Sequence, residues 1–163
     1  MTPRVRNFAV LLSAAVLLLG LKFAINSFNR PTDEVLIQQA LAASIEASRK
    51  GEPGGVIDML SQQLKVNQQL APDTSEIKRF IKASHPEVTL SNTRALVTGN
   101  EARIVSPVNL KFSFLGQTVN QPIDSVTLVF QKEEAREFLF LPVSKWRLIE
   151  VRMPENQVPT HEE

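Results

Sequence analysis

Residues 101–114 read EARIVSPVNLKFSF, and the alternation in this stretch decides the fold. Ala102, Ile104, Ser106, Val108, Leu110, Phe112 and Phe114 fall on one side of a period of two, against Glu101, Arg103, Asn109, Lys111 and Ser113 on the other. Successive side chains of a strand point to opposite faces, so the pattern predicts one long strand with a buried and a wet face. Pro107 cannot donate to a ladder, and a bulge or an edge position is expected there.

Working outward, Thr98-Gly99-Asn100 reads as a turn. The arm ahead of it alternates through Val88 and Leu90 and continues through Ala95 and Val97. On the other side Gly116-Gln117 turns the chain into a strand with Val126, Leu128 and Phe130 facing inward. Lys132 to Glu137 reads as a charged connection, Phe138-Leu139-Phe140-Leu141 as a short apolar arm ended by Pro142, and Trp146 to Met153 as the last strand.

Ahead of the strands the period is helical. Acids in Asp33-Glu34 suit a first turn, Ile37, Leu41, Ser44, Ile45 and Ser48 share a face, and Gly51 follows Arg49-Lys50 as a stop. A second helix is expected after Gly54-Gly55, burying Val56, Met59, Leu60 and Leu64. A third has Asp73 three residues before Glu76, an apolar face of Ile77, Phe80 and Ile81, and an end before Pro86. Helices first and antiparallel strands after give an α+β class: two or three helices packed on a curved antiparallel sheet of about four strands.

The first thirty residues differ in kind. Residues 8–25, FAVLLSAAVLLLGLKFAI, carry one charge, Lys22, and a helix of ~20 residues spans a bilayer core. Lys22 lies near the end of the run, where an ammonium snorkels to the interface. No small-residue cleavage pattern follows, so an uncleaved signal anchor is expected. A short stub ahead of a lone anchor stays inside. The expected layout is therefore a single-pass membrane protein, N-terminus cytoplasmic: a tail and transmembrane anchor over 1–30, an extracytoplasmic domain over 31–153, and a disordered tail over 154–163.

All 17 acidic side chains and all but four of the 18 basic ones lie beyond residue 30, so the domain is net acidic. That balance offers no clustered cations for phosphates, and no nucleic-acid partner is expected. The chain has no cysteine, which removes disulfides, thiolate metal sites and thiol nucleophiles together.

The order of elements resembles the nuclear-transport-factor-two-like, or cystatin-like roll, superfamily. The resemblance covers Thr32 to Pro154 and rests on Ala-Ser-Arg-Lys-Gly before Val56-Ile57-Asp58-Met59-Leu60, on Thr98-Gly99-Asn100-Glu101-Ala102, and on Lys145-Trp146-Arg147-Leu148 opening the last strand. It implies a conical pocket between sheet and helices, in which enzymes of the superfamily use Asp, His or Tyr. This chain has no Tyr, and its two histidines are His85, at a helix end, and His161, in the tail.

No catalytic residue, cofactor or metal site is therefore expected. Glu46 and Asp58 are the acids most able to approach the pocket, with Trp146 beside them as a stacking residue, although surface duty for the acids and core packing for Trp146 account for them as well. Phe138, Leu139, Phe140 and Leu141 form the candidate partner surface. The expected partners are the membrane, through the one helix, and a second copy or an envelope protein. The expected function is a membrane-anchored extracytoplasmic binding or assembly module. The alternative is a small-ligand-binding protein or an enzyme using an acid in the pocket.

Overall fold

The computed structural model describes residues 31–114, 116–137 and 141–154. The anchor expected over 1–30, the apolar triplet Phe138, Leu139 and Phe140, and the tail from residue 155 lie outside them. Asp33–Glu163 separates as its own compact unit.

Helix α1 (Asp33–Arg49) opens on Asp33 and Glu34 and buries Ile37, Leu41, Ser44, Ala47 and Ser48. Its end is a two-bond cap: Gly51 N–H donates to the Ser48 carbonyl at 3.0 Å and Glu52 N–H to that of Ala47 at 2.8 Å, with Gly51 at φ 71°. A Cβ on Gly51 would lie 2.5 Å from the His85 ring. Gly51→Ala is therefore expected to lose about 1–2 kcal/mol in a urea melt. Adding His85→Ala should recover the steric part and leave the part due to the positive φ; an unchanged midpoint in the single variant would contradict the packing.

Helix α2 (Pro53–Ile57) is one short turn, and here the structure corrects the expected second helix. Leu60–Val66 is strand β1, not helix. Leu60 and Leu64 are four apart, a spacing that suits a helical face and a strand face equally, because four is also a multiple of two. The choice is made far away in sequence. The closing strand β7 (Leu141–Arg152) offers a free edge, and Leu148 N–H donates to the Met59 carbonyl at 2.8 Å while Asn67 N–H donates to that of Val151 at 2.9 Å. Asn67 and Gln68 then turn the chain at φ 47° and 69° into β2 (Gln69–Leu70), the two-residue hairpin that suits strand twist.

Helix α3 (Thr74–Ser84) is capped by Asp73, whose carboxylate accepts from Ser75 N–H at 3.1 Å, and ends on His85 at φ 45°. The remaining strands are β3 (Glu87–Leu90), β4 (Leu96–Thr98), β5 (Glu101–Phe114), β6 (Gln117–Glu137) and β7 (Leu141–Arg152). Seven strands form one sheet in the order β2-β1-β7-β6-β5-β3, with β4 also on β5. The sheet is mixed and larger than the antiparallel one of about four strands expected, because β1 runs parallel to β7. The run Lys132 to Glu137 is not a connection either: β6 continues through it, paired with β7 as far as Glu137 opposite Leu141.

In β5 the alternation holds from Ala102 to Phe112. Ala102, Ile104 and Ser106 are buried, Val108, Leu110 and Phe112 half-buried, and Arg103, Asn109 and Lys111 exposed. The expected bulge falls at Pro107, with its extra residue on the neighbouring strand. Ser106 pairs with Val126 but Val108 with Ile123, so β6 spends one extra residue opposite the proline. The inward set of β6 therefore changes parity, from Phe130, Leu128 and Val126 to Ile123. Pro107 itself sits where β3 leaves the sheet, its carbonyl accepting from Ser91 N–H at 3.1 Å. The core is Ile37 and Leu41 of α1 and Met59 against Ile104, Val126, Phe130, Trp146 and Leu148.

Candidate functional site

Between α1 and the inner face of the sheet lies a cavity of about 270 Å³. Leu41 and Ile45 close it from the helix, Met59 and Leu60 from the α2–β1 corner, and side chains of β3, β5, β6 and β7 form its wall. Its polar lining side chains are Ser44 and Ser48, one turn apart on α1. The Ser48 hydroxyl donates to the Pro86 carbonyl at 2.8 Å, so it is already engaged. Among the described residues no acid, base or amide side chain lines the cavity. Such a wall can exclude water and hold an apolar group, but it has no group to move a proton.

The residues marked from sequence lie elsewhere. Glu46 is on the outside of α1, paired with Arg49 at 2.9 Å and Lys50 at 3.4 Å. Those cations hold its carboxyl below the usual glutamate range, the Arg49 hydrogen bond foremost. Asp58 ends α2, exposed, and its carbonyl accepts from Arg147 at 3.2 Å. Asp58 and Trp146 do meet, together with Leu36 and Lys145, along an outer groove of about 370 Å³ that Glu46 does not reach. His85 is exposed, its ring over Gly51. Of the candidate partner surface, Leu141 opens β7. Among the described residues no three His, Asp or Glu side chains gather to hold a metal, and no helix is long and apolar enough to cross a membrane.

One cluster was not foreseen. Asp33, at the start of α1, accepts from Trp146 Nε1 at 2.9 Å and from Lys132 Nζ at 2.9 Å, and the Lys132 ammonium lies 5.7 Å from the indole centroid. The Trp146 hydrogen bond, then that of Lys132, lower the Asp33 carboxyl from its ordinary value. Trp146 is buried in the core, and this bond satisfies its one donor. Asp33 and Trp146 are 113 residues apart, and no local spacing signals their meeting.

No family model and no curated protein matches the chain in sequence. Solved structures do match in shape. The CaMKII hub of S. rosetta superposes with a TM-score of 0.57 at 14% identity, over 77% of this chain and 98% of that one. An NTF2-like protein of unknown function in nutrient uptake from Rhodospirillum rubrum gives 0.54 at 13%, over 74% and 96%. An NTF2-like protein with a cystatin-like fold from Novosphingobium aromaticivorans gives 0.53 at 14%, over 90% of both. Identities this low carry the fold and no activity. With its long first helix packed on one mixed sheet, the chain has the NTF2-like, cystatin-like fold.

Proposed function

We propose that the chain is a membrane-anchored, extracytoplasmic binding module whose cavity takes a small apolar ligand. The observation that carries this reading is the cavity wall, apolar throughout except for Ser44 and Ser48. An apolar wall of this kind favours hydrocarbon groups over water, as an apolar cavity of ~150 Å³ accepts benzene. Catalysis by Glu46 or Asp58 is the weaker reading, since neither carboxylate lines that space. The anchor rests on residues 8–25, and the expected result is a full-length chain that sediments with membranes.

The test is a titration of the detergent-solubilised chain with an uncharged naphthalene probe. One saturable site per chain is expected, together with its loss in Ser44→Phe at an unchanged melting temperature. Equal fluorescence from wild type and Ser44→Phe would place the probe elsewhere and sink the reading. The same fold in a protein described as a hub supports a second reading, self-association of this chain. The apolar residues Phe138 to Leu141 would add to such a contact at about 25 cal/mol per Å² buried.

A further inference from the structure

Among the described residues the buried serines are Ser44, Ser48, Ser84 and Ser106, and all but one have a partner. The Ser48 hydroxyl donates to the Pro86 carbonyl at 2.8 Å, and that of Ser84 to the Phe80 carbonyl, one turn back in α3, at 2.7 Å. Ser106 donates to the Pro107 carbonyl at 2.7 Å and accepts from Asn92 N–H at 2.9 Å. Ser44 is the exception. It is 4% exposed and lines the cavity between α1 and the sheet, and among the described residues its hydroxyl has no hydrogen-bond partner. The Ala40 carbonyl stands one turn back, where Ser84 finds its acceptor in α3, but the Ser44 hydroxyl does not take it. A hydroxyl shut away from water without a partner costs free energy. Alanine would suit both the middle of a helix and an apolar wall better. A hydroxyl kept in such a place is explained when its partner arrives with a ligand.

We propose that Ser44 supplies the one polar contact in this cavity and selects a neutral oxygenated hydrophobe, an apolar body carrying a single hydroxyl or carbonyl. The proposal rests on the apolar-ligand reading above and names the polar group of that ligand. A serine hydroxyl donates to a carbonyl, and it donates to or accepts from an alcohol, so either head fits. A charged head does not. The lining side chains hold no counter-charge, and a carboxylate or ammonium buried against them would be desolvated without compensation. Size follows by proportion: where benzene fills ~150 Å³, a cavity of about 270 Å³ holds roughly ten or eleven non-hydrogen atoms. Met59 and Met153 line the same space, and their unbranched side chains adapt to bodies of different outline. Ser48, one turn along, does not fill the role of Ser44. Its proton is committed to Pro86, which makes it a tie between α1 and the start of β3.

Naphthalene and 1-naphthol share one ring system and differ by a hydroxyl, so the ratio of their affinities isolates the polar contact. The experiment titrates both into the detergent-solubilised full-length chain at neutral pH, as wild type, Ser44→Ala and Ser48→Ala. Partition into the micelle is common to all three proteins and cancels between them. In Ser44→Ala the preference for naphthol over naphthalene is expected to fall about tenfold, because the naphthol hydroxyl is then buried without a partner. Naphthalene itself should bind Ser44→Ala as well as it binds wild type, and the variant should melt no lower, since it loses no bond within the protein. Ser48→Ala should keep the wild-type preference. Absence of saturable binding by either probe would sink the cavity reading and this proposal with it. Naphthalene binding with an unchanged preference in Ser44→Ala, or a preference lost in Ser48→Ala instead, would overturn the role of Ser44 while leaving the apolar site standing.

Discussion

Phe130→Ala is expected to remove about 3–5 kcal/mol of stability, the largest effect of any single substitution named here. The ring is completely buried, on the central strand β6, between Ala102 of β5 and Leu148 of β7. Its removal leaves a void that neither neighbour can close, because both backbones are fixed by ladders on two sides. A domain stable by about 5–15 kcal/mol loses roughly a fifth or more of its margin in this way. Urea unfolding followed by Trp146 fluorescence measures it, and a loss below about 1 kcal/mol would mean that the core is not centred on β6.

The second large effect is expected at Asp33→Ala, which cuts the tie between the start of α1 and the closing strands. Two charge-assisted hydrogen bonds go, and the buried indole N–H is left without its acceptor. The Asp33 side chain stays 33% exposed, so screening by water keeps the loss near the lower end of the range for such bonds, about 1.5–2 kcal/mol. The dependence on pH has a definite sign. The folded carboxyl titrates below 3.8, so its stabilisation is full above that value and is lost as the pH falls through the folded one. Wild type and variant should therefore differ at neutral pH and converge in acid. A gap of equal size at neutral pH and well below the folded titration would assign the effect to packing rather than to the charge.

How much of this was legible follows from the range of each signal. The alternation from Ala102 to Phe112 was legible because a strand buried on one face repeats its demand every second residue, and the irregularity at Pro107 was taken up by β6. The first and third helices were legible for a like reason, since caps and apolar faces are local. Strand β1 was not, because Leu60 and Leu64 suit two periods and the arbiter, β7, lies more than eighty residues downstream. Lys132 to Glu137 was misread because its charges looked like a loop, while its strand state is held by pairing with the stretch from Leu141. The candidate site divides in the same way. That Leu41, Ile45 and Val126 face inward could be read from periodicity, but the absence of Glu46 and Asp58 from the cavity could not, because it depends on where α1 and α2 come to rest. The cluster of Asp33, Lys132 and Trp146 had no local signal at all.

The parallel pairing of β1 with β7 has a consequence for how the chain is made. Strand β7 lies between β1 and β6, so a ribosome that has not yet released Trp146 to Arg152 holds a sheet in two pieces. The β3–β6 piece can zip locally through short turns, whereas β1 and β2 must wait for a loop of more than eighty residues to close. Non-local closure of this kind slows folding and leaves edges open meanwhile. A chain truncated before Trp146 therefore exposes the free edges of β1 and β6 at once, and loss of residues 146–163 would be expected to produce aggregates rather than a smaller domain.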